Sequence, residues 1–294
     1  MIFSKECILV IVYYFLIFTA IYILMGWSFY LPYQVGHLYF LPVSIMTISA
    51  YFTGVAAREW DWPFFLIIIT GMAIGFFISY GVSLLISDAP CFSVVIVGLT
   101  LLFIIKTVIE NWDWLGGSIG FFNIPTVDNL IIWTYILLAI MGYFIFCLEK
   151  SQTIREASAI FDSKELAASL GIRSKTITMF FHSFSGLLAG LSGVLYASVV
   201  GGVTIDFFGF GMIGTLMAIL FVGGYKTMWG VVFSAPLLGG LPILLPDAFA
   251  VWKQVVYGGL LILIICFRPE GLVTRKEIYF LRNYFRNKSE KKLF

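Results

Sequence analysis

Few side chains in this sequence could do covalent chemistry. There are two histidines, His37 and His182, and four cysteines, Cys7, Cys91, Cys147 and Cys266. The cysteines are widely separated and sit in or beside apolar runs, where a thiol behaves as a small hydrophobe, so no disulfide framework is implied. No Walker-type glycine loop, His-Glu-x-x-His or Cys-x-x-Cys occurs. A membrane-embedded enzyme would need His, Asp and Glu clustered within its spans, and none is in view. The most informative spacing lies in EKSQTIREASAIFDSKELAASLGIRSK, residues 149–175. Asp162 reads as an N-cap, with Glu165 three residues on to complete a capping box. Phe161 before the cap and Leu166 after it have the spacing of a hydrophobic staple. Leu166, Ala167, Ala168 and Leu170 favour helix, with the two leucines on one face, and Gly171 supplies a left-handed stop. Such a helix has about eight residues, short of the roughly 12–15 that stand alone in water, so it must pack against something. The chemistry expected of it is non-covalent docking. Its cradle could be a partner protein, its own bundle or the bilayer surface.

The elements around this stretch are apolar. The chain is 61% hydrophobic and 12% charged, against about 25% charged in soluble domains, which makes it a polytopic membrane protein. Apolar spans are expected at 7–31, 38–57, 64–87, 91–109, 129–148, 176–200, 210–222, 229–245 and 252–267. The first is too long for a signal-peptide core and lacks a following cleavage site, so it is read as retained. The seventh is short, and Pro236 and Pro242 interrupt the eighth, so eight to ten spans bracket the expectation of nine. Five Lys and Arg residues lie in 149–175 and eight more follow Phe267. By the positive-inside rule the central segment and the basic tail 268–294 are cytoplasmic. Four spans between them keep the parity consistent.

The sixth span carries Gly186, Ala189, Gly190, Gly193 and Ala197, small residues four apart that let helices approach closely in lipid. Asp88, Lys106 and Asp206 fall at predicted span ends, where hydration or snorkelling relieves their cost. His182 reads as a hydrogen-bonded packing residue, and His37, in a break between spans, could pack or react. The loop 111–127 is rich in glycine and aromatic residues and should be irregular backbone at the interface. No mid-span carboxylate of the kind ion-coupled carriers use is evident.

Five stretches resemble the inner-membrane permeases of branched-chain amino acid ABC transporters, in particular the second of the two homologous permease subunits. They are KELAASLGIRSKTITMFFHSFSGLLAGLSGVLYA (164–197), SAYFTGVAAREWDWPF (49–64), ENWDWLGGSIGFFNIP (110–125), LFVGGYKTMWGVVFSAPLLG (220–239) and YGGLLILIICFRPEGLV (257–273). The resemblance covers roughly 45–275. It implies that Phe161–Gly171 is the coupling helix, seated in a groove of an ATP-binding subunit, and that Asn111, Trp112, Gly116 and Gly117 belong to a gate or substrate path. It further implies two ATP-binding subunits, a homologous permease and a periplasmic or lipid-anchored substrate-binding protein as partners. ATP and Mg would be bound by those subunits, with no cofactor on this chain, no catalysis by it and no nucleic acid. The sequence departs from the family before the second span (Gln34-Val35-Gly36-His37), after the third (Ser87 to Cys91), and at Phe161, where the family usually has Arg. These departures leave urea, short amides or another small polar solute open as substrates. An ATPase-independent carrier or channel is the reading from another class. The expected fold is an all-α polytopic bundle forming one permease domain, 1–294, in the cell membrane with a cytoplasmic C-terminus.

Overall fold

The computed structural model describes residues 5–125, 127, 129–240, 259 and 262, with side chains from Leu9 onward. Ten α-helices follow one another among these residues: α1 Lys5–Tyr33, α2 Leu41–Arg58, α3 Phe64–Ile86, α4 Cys91–Glu110, α5 Leu130–Lys150, α6 Gln152–Asp162, α7 Lys164–Ser169, α8 Ser174–Val200, α9 Phe210–Gly223 and α10 Met228–Ala235. Five of them are long and apolar enough to cross a membrane. α3, α4 and α5 turn large apolar side chains outward, such as Phe65, Leu85, Phe92, Phe103 and Tyr143. That pattern suits helices whose outer solvent is lipid.

α8 is the axis, packed chiefly against α3, α2 and α1. Its small residues explain why. A methyl added to Gly186 would strike the Gly75 carbonyl oxygen, one on Gly190 would strike that of Gly71, and one on Gly193 would strike that of Met46. α3 and α8 therefore touch backbone to backbone in antiparallel register. Side-chain hydroxyls then tie the helices together. Ser49 Oγ donates to the Gly190 carbonyl at 2.7 Å, and Ser28 and Ser185 each donate to the other's carbonyl, at 2.8 and 2.6 Å. Of the expected packing residues, Gly186, Ala189, Gly190, Gly193 and Ala197 are all buried. The matching row on α3 was not anticipated: Gly71, Gly75, Ser79 and Ser83, again four apart and all buried.

The two ends of the bundle differ. At one end Asp88 pairs with Lys175 at 3.1 Å, and α6 and α7 lie across it. At the other, Lys106 pairs with Asp206 at 3.3 Å beside a two-stranded antiparallel ribbon of β1 Phe121–Phe122 and β2 Gly202–Val203. These are called the segment end and the loop end. Asp88, Lys106 and Asp206 thus lie at helix ends, as expected.

Two expectations change. The stretch 149–175 holds two helices rather than one. α6 buries Ile154, Ala157 and Ile160 along one stripe, and this face keeps the chain helical through Phe161 and Asp162. The second change is the consequent shift of the cap, described below. α9 has 14 residues, roughly 21 Å of helix, too short to cross about 30 Å of hydrocarbon. It doubles back through residues 224–227 onto α10, with the backbones of Gly223 and Gly230 in contact. α10 gives way at Pro236 to a π turn, Pro236–Gly240. The remainder of the eighth span, the ninth span apart from residues 259 and 262, and the basic tail fall outside the described residues.

Candidate functional site

α7 is six residues long and its N-cap is Ser163, not Asp162. Ser163 Oγ accepts from the Leu166 N–H at 3.2 Å and donates to Glu165 Oε2 at 2.9 Å. Asp162 is spent closing α6. The Glu165 carboxyl lies below the usual carboxylate range, because its own backbone N–H, the Ser163 hydroxyl and nearby Lys164 all favour its charged form. The stop is at Gly171, φ +78°. Its N–H reaches the Ala168 carbonyl at 3.0 Å and the Ile172 N–H reaches that of Ala167 at 3.0 Å, the paired closure of a Schellman motif. Only Ala167 of α7 is buried, while Leu166 and Leu170 are 56% and 67% exposed. A short, doubly capped helix thus presents two leucines outward at the polar segment end, away from the apolar belt of α3 to α5.

Phe161 is the penultimate residue of α6 and, with the cap at Ser163, does not directly precede the N-cap of α7. Carried on α6, its ring lies 5.8 Å from that of Tyr33 at the end of α1. Tyr33 in turn meets Phe221 of α9 at 5.7 Å and Tyr225 of the α9–α10 turn at 5.1 Å. Glu149, at the end of α5, accepts from the Tyr30 hydroxyl at 2.8 Å and from the first N–H of α10, Met228, at 2.7 Å. A carboxylate at a helix N-terminus is favoured by the helix dipole. The end of α1 is therefore a hub joined to α5, α6, α9 and α10.

One cluster went unseen in the sequence. His37 Nδ1 lies 3.2 Å from His182 Nε2, and His182 Nδ1 lies 3.1 Å from Ser83 Oγ. Tyr39 stacks on His182 at 4.1 Å and shares a 2.9 Å hydrogen bond with Ser79, whose hydroxyl also donates to the His182 carbonyl at 2.6 Å. The Ser79/Ser83 pair, one turn apart on α3, was the available signal. No candidate metal cluster of three or more His, Cys, Asp or Glu occurs among the described residues.

The other candidates lie at the loop end. The Asn111 amide donates to the Thr107 carbonyl at 2.8 Å. Trp112 is 52% exposed, and Gly116 and Gly117 have left-handed backbone, φ +86° and +53°. The aromatic loop then runs into β1, where the Arg58 guanidinium sits 5.0 Å above the Phe121 ring and donates to the Phe122 carbonyl at 3.2 Å. This group and the α6–α7 group are at opposite ends of the bundle.

Residues 11–265 match the family described as "Branched-chain amino acid transport system / permease component". The chain is 27% identical over 167 residues to the high-affinity branched-chain amino acid transport system permease protein LivM of Escherichia coli K12, a match covering 55% of this chain and 39% of that protein. It is 27% identical over 172 residues to LivH of Salmonella typhimurium, the corresponding shares being 57% and 54%. The chain thus spans about two-fifths and about half of the lengths of these relatives. No solved structure matches it. The apolar helices and the family profile together establish a multi-pass membrane protein: the chain belongs to the family of branched-chain amino acid transport system permease components.

Proposed function

We propose that this chain is the membrane permease subunit of an ATP-binding-cassette importer for branched-chain amino acids, and that α7 is its contact with an ATP-binding subunit. The observation that carries the reading is the pair Leu166 and Leu170, exposed on a helix too short to stand alone, of which Ala167 alone is buried. In this reading the segment end and the C-terminus are cytoplasmic. Two ATP-binding subunits close on nucleotide and move α6–α7. Phe161 passes that motion to Tyr33 and the α9–α10 hairpin, while α2, α3 and α8, locked by small residues, move as one body. A homologous permease completes the path. A substrate-binding protein delivers cargo at the loop end, near Asn111 to Gly117.

The test is a cysteine at Leu166 or Leu170, in a background lacking the native cysteines, opposite a cysteine in the groove of the ATP-binding subunit. The expected result is a cross-link that responds to nucleotide. The buried Ala167 should give none. Leu166→Ser with Leu170→Ser should abolish ATP-driven uptake of leucine and leave the melting of the chain almost unchanged. ATP-independent uptake by this chain alone in liposomes would refute the proposal and favour a carrier.

A further inference from the structure

α5 is seated on the bundle at its two ends and stands off between them. It buries Leu130 and Thr134 near the loop end and Ile145 near the segment end, and no residue between Thr134 and Ile145. Glu149 adds its hydrogen bonds to Tyr30 and Met228. The gap is a groove of about 430 Å³ between α5, α1 and α10. Buried Trp27 forms part of its floor, and its indole N–H donates to the Met228 carbonyl at 3.1 Å, which closes α1 onto α10. Gly142 leaves room for that ring, since a methyl there would come within 2.9 Å of it. Along α5 the groove runs from Tyr135 to Phe146. That is roughly 16 Å of helix, about half the depth of the hydrocarbon core. The groove is thus as long as one leaflet is deep, and its apolar walls gain dispersion contacts only from what fills it.

The mouth toward the segment end is cationic. Lys150, the last residue of α5, is exposed, and its Nζ lies 3.8 Å from the centre of the Phe146 ring. The ring face holds the ammonium at the mouth but brings no counter-charge. No carboxylate pairs with Lys150 among the described residues. Arg155, exposed on α6, adds a second positive charge at this end. An aliphatic chain one leaflet long that ends in a negative group beside basic residues is an anionic phospholipid.

We propose that the groove between α1, α5 and α10 binds an anionic phospholipid from the leaflet at the segment end, one acyl chain along Trp27 and Gly142 and the phosphate on Lys150. The lipid fills the space the protein leaves under α5, so α5 is held by lipid as well as by Ile145 and Glu149. The site stands whether or not α7 contacts an ATP-binding subunit.

The experiment uses the full chain in phosphatidylcholine nanodiscs, doped with phosphatidylglycerol carrying a diazirine in its acyl chain, with peptide mapping of the label. The exposed face of α4 around Phe103 reports ordinary boundary lipid. Label is expected on peptides carrying Tyr135 to Phe146 or Met228 to Val232, in excess over that face. The same probe with an ethanolamine head should label the groove about fivefold less and the α4 face equally. Lys150→Gln should lower groove labelling by phosphatidylglycerol about fivefold, and Lys150→Arg should restore it. Ala139→Trp, at an exposed position on the groove wall, should fill the groove and remove its label while labelling of α4 is unchanged. Groove label no greater than that on α4, equal labelling by the two heads, or indifference to Lys150→Gln overturns the site. Label that disappears when the homologous permease is co-assembled assigns the groove to a protein helix and overturns it as well.

Discussion

Gly75→Ala and Gly81→Ala are the same substitution on the same helix, and the structure predicts opposite outcomes. At Gly75 a new methyl would meet the Gly186 carbonyl oxygen, with Gly186 C at 3.0 Å and Gly190 Cα at 3.1 Å. All three are backbone atoms and cannot swing aside, so α3 and α8 must separate. At Gly81 nothing lies within 4 Å. Alanine is favoured over glycine within a helix by about 0.5–1 kcal/mol, and Gly81→Ala should gain about that much. Overpacking a tight contact costs about 1–3 kcal/mol, and separating α3 from α8 also disturbs Ser49–Gly190 and Ser79–His182, at 2.7 and 2.6 Å. The propensity gain is common to both, so the two variants should differ by the overpacking cost, about 1–3 kcal/mol. At about 2 °C per kcal/mol, the lower end of the range for chains of roughly 150–250 residues and the one apt for 294, that is about 2–6 °C in melting. The assay is thermal unfolding in nanodiscs of one lipid composition at one scan rate, followed by intrinsic fluorescence. Gly75→Ala melting with or above Gly81→Ala would refute the backbone-contact packing of these helices.

Three further outcomes follow from named contacts. Ser163→Ala removes the acceptor of the Leu166 N–H, so α7 should lose about 1 kcal/mol, seen as faster amide exchange at Leu166, whereas Asp162→Ala should leave that exchange unchanged. Glu149→Ala strands the Tyr30 hydroxyl and the Met228 N–H at a cost of roughly 1–3 kcal/mol, measured by thermal unfolding; Glu149→Gln keeps an acceptor oxygen and should lose less. A double-mutant cycle of His37→Ala and His182→Ala should give a coupling of about 0.5–3 kcal/mol, because the imidazoles share a buried 3.2 Å contact; strict additivity would deny it.

The sequence by itself determined the class of the fold and most helix limits. Apolar runs a bilayer thick leave the backbone little choice but helix, since only internal hydrogen bonding satisfies it in lipid. Predicted runs such as 64–87 and 91–109 agree with α3 and α4 to within one residue. Gly171 was legible as the stop because few residues but glycine accept φ near +78°. The row of small residues on α8 was legible because its period is local. The start of α7 was misread because Asp162 and Ser163 are both good caps. Only the burial of Ile154, Ala157 and Ile160 extends α6 through Asp162 and leaves the cap to Ser163.

Tertiary structure alone decided the rest, since the contacts join residues far apart in the chain. Nothing near His37 announces His182, 145 positions on. Glu149 reads as one more charge in a polar segment until α1 brings Tyr30 and the α9–α10 turn brings Met228 to the same oxygen. Phe161 reads as a staple until Tyr33 is placed opposite its ring. Local periodicity fixes which face of a helix is apolar. Which other helix covers that face depends on where small residues on both permit backbone contact, and that pairing of α3 with α8 exists only once the chain has folded.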